Sequence, residues 1–235
     1  MQLVLPVSFR KQDSLHNFVE GKNSQLICHL QNVLNNKVDY PQASQRICVL
    51  TGGPGAGKSH LLLATCEQAA LSGLTQQYID LAHTINMPPE MLLGLISKDV
   101  VCIDNLQAVS GVANWQTAVF DIINQFTEAQ GALLLIATSE PIDQIEYALV
   151  DLRTRLSWGT NFTLQQLNDD DKYRALENHL KAIGIAYTQD AIGFLLSRTS
   201  RDMHDLMLLV NTLDKASFES KRKITIPFIK TTLNL

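Results

Sequence analysis

Gly52-Gly53-Pro54-Gly55-Ala56-Gly57-Lys58-Ser59 decides how this chain is read. A glycine, four residues and then Gly-Lys-Ser form the P-loop pattern. The flanks agree with it. Ile47-Cys48-Val49-Leu50 is a short apolar run of buried-strand type, and residues 59–71, rich in Leu and Ala, read as a helix. Glycines let the backbone wrap closely around a chain of phosphates, with positive φ where required. The N–H groups of the loop and of the helix N-terminus then face the anion. The pattern predicts that Gly53, Pro54, Gly55, Ala56, Gly57, Lys58, Ser59 and His60 surround a bound nucleotide. Lys58 would reach the β- and γ-phosphates, and the Ser59 hydroxyl would ligate Mg²⁺.

Working outward, Val100-Val101-Cys102-Ile103-Asp104 is a second apolar run, and it ends in a carboxylate. Behind a P-loop, a strand-end acid orients the water shell of Mg²⁺, which places Asp104 on the metal through water. ATPases of this architecture carry a second acid at the next position. Here that position is Asn105, and an amide cannot act as a base. Weak or absent intrinsic hydrolysis is the expectation. Thr138 and Ser139 close the apolar run 132–137 and offer hydroxyls to a γ-phosphate, although strand termination alone also accounts for them.

The remaining elements fall into two regimes. Residues 8–23 are polar; Ser24 reads as the N-cap of a helix to about 34, and Pro41 to Gln45 as a linker. Residues 77–81 read as a strand, Pro88-Pro89-Glu90 opens a short helix to about 97, and a helix over 115–130 stops at Gly131. A short helix over 146–156 and a strand over 162–164 complete the first regime. Strands alternating with helices predict a parallel sheet covered on both faces. After Gln166 only helices follow: one capped by Asn168 and running to about 182, one from Thr188 or Gln189, and one over 202–218. The expected organisation is an N-terminal segment 1–12, an α/β nucleotide-binding domain 13–166 and a small all-helical lid domain 167–235.

Composition narrows the partners. A net charge of −4 over 235 residues and a pI near 5.8 argue against strong direct DNA binding. Lys221-Arg222-Lys223 is the only tight basic run and reads as a solvated turn. The four cysteines lack metal-ligand spacing and read as reduced thiols. The apolar start is too short for a signal peptide, and no run approaches a membrane span, so a cytoplasmic location is expected.

The order of P-loop, strand-end acid, polar strand end and helical lid resembles the AAA+ ATPases. Two segments narrow the resemblance to the DnaA initiator family. Asn17-Phe18-Val19-Glu20-Gly21-Lys22-Asn23 is similar to its adenine-side box, with the backbone near Phe18 and Val19 framing the base and Asn23 closing the box. Thr154-Arg155-Leu156-Ser157-Trp158-Gly159 is similar to the segment bearing the arginine finger, which falls on Arg155, with Arg153 the neighbouring alternative. A DnaA protein would continue into a helix-turn-helix domain, whereas this chain ends at Leu235. The N-terminal Gln2-Leu3-Val4-Leu5-Pro6 completes a resemblance to the family of DnaA regulatory inactivators. In that family such a motif docks on the DNA polymerase sliding clamp, here through Gln2, Leu3, Leu5 and Pro6.

The resemblance implies a negative regulator of DNA replication initiation. It would carry ADP or another nucleoside diphosphate with Mg²⁺, dock on the clamp (the polymerase β subunit), and stimulate hydrolysis of DnaA-bound ATP with Arg155 in trans. It also admits a homo-oligomer. One departure concerns the second-sensor arginine, which falls on His204, with Arg201 as a substitute one turn away. Two other readings stay open: an autonomous AAA+ ATPase of the helicase-loader type, and an adaptor that tethers DnaA without a catalytic arginine.

Overall fold

The computed structural model describes residues 15, 18–35, 43–128 and 132–235. The segment Gln2 to Pro6, Asn17 and Gly131 lie outside the described residues.

Five strands form one parallel sheet: β1 (Ile47–Thr51), β2 (Gln76–Asp80), β3 (Val100–Asp104), β4 (Leu133–Thr138) and β5 (Thr160–Thr163), in the order β2-β3-β4-β1-β5. The apolar runs are continuous because helices cover both faces. Alternate side chains sort to opposite layers. On one face Val49, Val101, Ile103, Leu134 and Ile136 pack with Trp115, Val119, Ile123 and Phe126 of α5 (Ala113–Glu128) and with Leu152 and Leu156 of α6 (Val150–Trp158). On the other, Cys48, Leu50, Cys102, Leu133 and Leu135 meet Leu61, Leu62 and Cys66 of α3 (Lys58–Leu71), with Leu26, Ile27 and Leu30 of α1 (Ser24–Asn35) behind them. Register brings Asp80 opposite Asp104 and Thr51 opposite Thr138, so the polar strand ends share one edge. The chain reverses its order there, beside β1, which is where open α/β sheets take ligands.

After β5, α7 (Asp169–Ala182), α8 (Gln189–Arg198), α9 (Met203–Ser220) and α10 (Ile226–Leu233) close a separate apolar core around Leu176, Leu195, Leu206, Val210 and Ile229. Three of these helices have side-chain caps, of which Asn168 is the one expected from the sequence. Asn168 accepts from Asp171 N–H, Asp202 from His204 and Asp205 N–H, and Thr225 from Phe228 N–H.

Several elements differ from expectation. Ser24 is the first helical residue of α1, not its cap. Part of the 41–45 linker belongs to a helical turn, α2 (Ala43–Arg46). Leu81 leaves the strand and opens α4 (Leu81–Thr84), because the Asp80 carboxylate accepts from Ala82 N–H. The expected helix to 97 is two 3₁₀ turns, Pro89–Leu92 and Leu95–Ser97, separated at Gly94, whose φ of +84° breaks the run. No helix forms over 146–149. There the buried Gln116 amide holds an extended chain, donating to Glu146 C=O and accepting from Ala148 and Leu149 N–H. Helix α6 therefore starts at Val150 and runs on to Trp158. The fourth lid helix, α10, is not among the expected elements, although Thr225 as cap and Pro227 in the first turn signal it. Of the four thiols Cys48, Cys66 and Cys102 are buried, while Cys28 is exposed.

Candidate nucleotide-binding site

The P-loop leaves β1 at the sheet's carboxyl edge and becomes the first turn of α3. Gly55 and Gly57 sit at φ +71° and +94°, which a side chain at either position would resist. Neither has room for one. A Cβ on Gly57 would lie 3.3 Å from the Phe18 ring, and one on Gly55 only 2.9 Å from the Asp202 carboxylate of the lid.

Lys58 is buried and donates to the carbonyls of Gly52 (2.6 Å) and Gly53 (3.0 Å). Burial pushes its ammonium below the ordinary lysine range, and the Asp104 carboxylate opposes that shift. Asp104 is 1% exposed at the end of β3. Its Oδ1 accepts from Asn105 N–H (2.9 Å) and its Oδ2 from the Tyr78 hydroxyl (2.8 Å). Burial, then the negative charge of Asp104, drives the Tyr78 hydroxyl far above its usual pKa, so it stays a donor.

Asn105 adopts left-handed backbone geometry at φ +58°. Both ends of its side-chain amide are engaged: Nδ2 donates to Asp80 Oδ1 (2.8 Å), and Oδ1 accepts from Gln107 Nε2 (3.0 Å). Gln107 Oε1 in turn accepts from Ser139 N–H (3.0 Å). One chain of hydrogen bonds thus links the ends of β2, β3 and β4. The buried Thr138 hydroxyl donates to Glu140 C=O (3.0 Å), which engages its proton locally, while Ser139 is partly exposed.

A cavity of ≈ 250 Å³ opens beside the loop. Phe18 and Val19 line it with Gly55, Ala56, Gly57, Lys58, Ser59 and His60, and the Phe18 and His60 rings lie 5.7 Å apart. The lid closes the other side with Leu167, Ala175, His179, Met203, His204 and Met207. Apart from His204, the sequence alone marks none of these lid residues as part of the site. Met203 and Met207 lie four apart on α9, so they share a face, but nothing local says which surface that face meets.

Asn23, Gly53, Pro54, Asp104 and Ser139 do not line the cavity. Asn23 is a brace: its amide donates to Gln165 C=O (3.1 Å) and accepts from Gln165 N–H (2.8 Å), tying the start of α1 to the connection between β5 and the lid. Arg201 also stands outside the cavity, bonded to Asp169 at 3.0 Å, whereas His204 lines it. Arg155 lies on α6, partly buried, with no hydrogen-bond or ion-pair partner among the described residues. Arg153, two residues before it, is exposed and stands close enough to Tyr147 to act on its hydroxyl.

Mg²⁺ fits this donor set only as a shared ligand. Ser59 supplies one hydroxyl and Asp104 one carboxylate. No group of three or more His, Cys, Asp or Glu among the described residues can hold a metal unaided. Phosphate oxygens and water would have to complete an octahedral shell.

Residues 9–163 match the family profile of the bacterial DnaA ATPase domain. The chain belongs to that family. Residues 169–233 match a second profile, the lid domain of Hda, so a DnaA-type AAA+ base carries an Hda-type lid. Among solved structures, domain III of the Thermotoga maritima replication initiation protein DnaA superposes with a TM-score of 0.74 at 16% identity, covering 95% of this chain and 96% of that one. AMPPCP-bound DnaA from Aquifex aeolicus gives 0.67 at 22% identity, over 88% of this chain and 66% of its own. The Thermotoga maritima RuvB Holliday junction branch migration motor gives 0.68 at 14% identity, over 97% and 73%. At these identities the structures establish the AAA+ fold. The two profiles make the protein a relative of DnaA. No helix among the described residues is long and apolar enough to cross a membrane.

Proposed function

We propose that this protein is a negative regulator of replication initiation that acts on DnaA. It binds a nucleoside diphosphate, ADP in the first instance, with Mg²⁺ between Ser59 and the water shell held by Asp104. Phe18 and Val19 frame the base, and the loop from Gly53 to His60 takes the phosphates. The N-terminal Gln2-Leu3-Val4-Leu5-Pro6 docks on the sliding clamp, and Arg155 enters the nucleotide site of a DnaA protomer to stimulate hydrolysis of its ATP. Hydrolysis would leave DnaA in its inactive ADP form, and clamp docking would confine the reaction to replicated DNA in the cytoplasm.

The observation that carries this reading is the union of a DnaA-type base with an Hda-type lid in one chain. The nucleotide site supports it. Asn105 has its amide engaged at both ends and brings no carboxylate to activate water, so the bound nucleotide serves as a structural or regulatory element. AMPPCP in a DnaA of the same fold supports nucleotide occupancy in kind. Arg155, without a partner among the described residues, has a guanidinium fork suited to phosphate oxygens.

The test reconstitutes clamp-loaded DNA, ATP-bound DnaA and this protein, and follows conversion of the DnaA nucleotide. Clamp-dependent conversion is the expected result. Turnover of ATP by this protein alone, independent of DnaA and the clamp, would favour an autonomous loader-type ATPase. Tethering of DnaA without conversion would favour an adaptor.

A further inference from the structure

The first turn of α9 abuts the P-loop. Both Asp202 carboxylate oxygens lie 2.9 and 3.1 Å from the position a Cβ on Gly55 would take, and His204 N lies 3.2 Å from it. A helix N-terminus in such a place ordinarily favours anions. Here it is already answered from within. Asp202 accepts from His204 N–H (2.8 Å) and Asp205 N–H (3.4 Å), so the dipole end is met by the protein's own carboxylate.

Among the described residues no lid cation pairs with that carboxylate. Arg201 is paired with Asp169 at 3.0 Å, and Lys172 Nζ donates to Arg201 C=O at 2.7 Å. Within the first turn His204 stands where a sensor cation is expected, and Asp205 adds a second acid. The base domain supplies Lys58 and the loop N–H groups, whereas the lid turn that meets the loop brings the Asp202 carboxylate against it.

We infer that Asp202 is a specificity-determining residue that makes the site prefer a nucleoside diphosphate to a triphosphate. The inference rests on the reading of this cavity as the nucleotide site. Asp202 does not line the cavity itself but presses on Gly55, which does, so its charge acts on the phosphate end of the site through space. There, partly shielded from water, like charges repel appreciably. A triphosphate brings one more negative charge to that end of the site than a diphosphate does. The penalty falls mainly on the triphosphate, and discrimination follows without any contact to a γ-phosphate.

Asp202→Asn isolates the effect, because asparagine caps a helix as well as aspartate and differs chiefly in charge. Calorimetric titration of nucleotide-stripped protein with ADP and with ATP, each with Mg²⁺, gives the ratio of affinities. The wild type should prefer ADP. In Asp202→Asn, ATP affinity should rise about three- to tenfold, with ADP affinity within about twofold and the melting temperature unchanged. An unchanged ratio, or equal weakening of both nucleotides, would overturn the assignment and leave Asp202 as a helix cap. A wild type that binds ADP and ATP equally would overturn it as well. Wild-type protein that binds neither would remove the nucleotide-site reading and the inference with it.

Discussion

The side-chain amide of Asn105 donates to the Asp80 carboxylate at 2.8 Å, across the ends of two neighbouring strands. The position after Asp104 is thereby built into the sheet edge. Its left-handed backbone, at φ +58°, is a conformation that asparagine tolerates better than most residues.

Asn105→Asp should not create an ATPase. It would set a carboxylate against Asp80 in place of a donor and leave Gln107 as its only remaining side-chain partner. We expect a loss of about 1–3 kcal/mol at neutral pH, from one broken hydrogen bond and like-charge repulsion. Because the repulsion raises the folded-state pKa of the acids above their unfolded values, the penalty shrinks as pH falls through that raised range. Thermal melts at pH 8 and pH 5 measure it; equal losses at both would show that charge is not the cause.

Tyr78→Phe removes the hydroxyl that donates to Asp104 Oδ2 and changes little else in shape. Asp104 would keep only the Asn105 N–H to hold its orientation. ADP affinity in Mg²⁺ should drop about five- to tenfold, while affinity in EDTA stays near wild type. Equal losses in both conditions would assign Tyr78 to folding and not to the metal side of the site.

Gln2→Ala or Leu5→Ala should abolish clamp binding without changing the melting temperature. A short peptide that orders on docking binds modestly, and an oligomeric clamp adds avidity through repeated sites. Surface plasmon resonance on immobilised clamp measures this. Full-strength binding by protein that begins at residue 10 would place the contact elsewhere.

What the sequence makes legible is local or periodic. Gly52 to Ser59 is a contiguous pattern, and Asp104 ends an apolar run at the expected separation. The alternation of Cys48, Val49 and Leu50 between two packed layers follows from a parallel sheet covered on both faces. What escaped depends on contacts between distant segments. Gln116 pins residues about thirty positions away and cancels a helix that composition favours. Met203, Met207 and His179 become cavity walls only because the lid folds back over the loop. Asn23, expected at the base, instead braces Gln165, 142 residues further on. Helix α10 is the exception, since Thr225 and Pro227 announce it within four residues.

The role of Arg155 in trans is tested most directly by one variant. Arg155→Ala is assayed for stimulation of DnaA-bound ATP hydrolysis on clamp-loaded DNA, with nucleotide and clamp binding measured in parallel. Fingers supplied in trans accelerate hydrolysis by roughly 10³–10⁵, whereas an exposed ion pair contributes about 0–1 kcal/mol. The predicted result is loss of nearly all stimulation with both binding activities intact. Stimulation within a few-fold of wild type would contradict it, and the same loss in Arg153→Ala instead would transfer the role to Arg153.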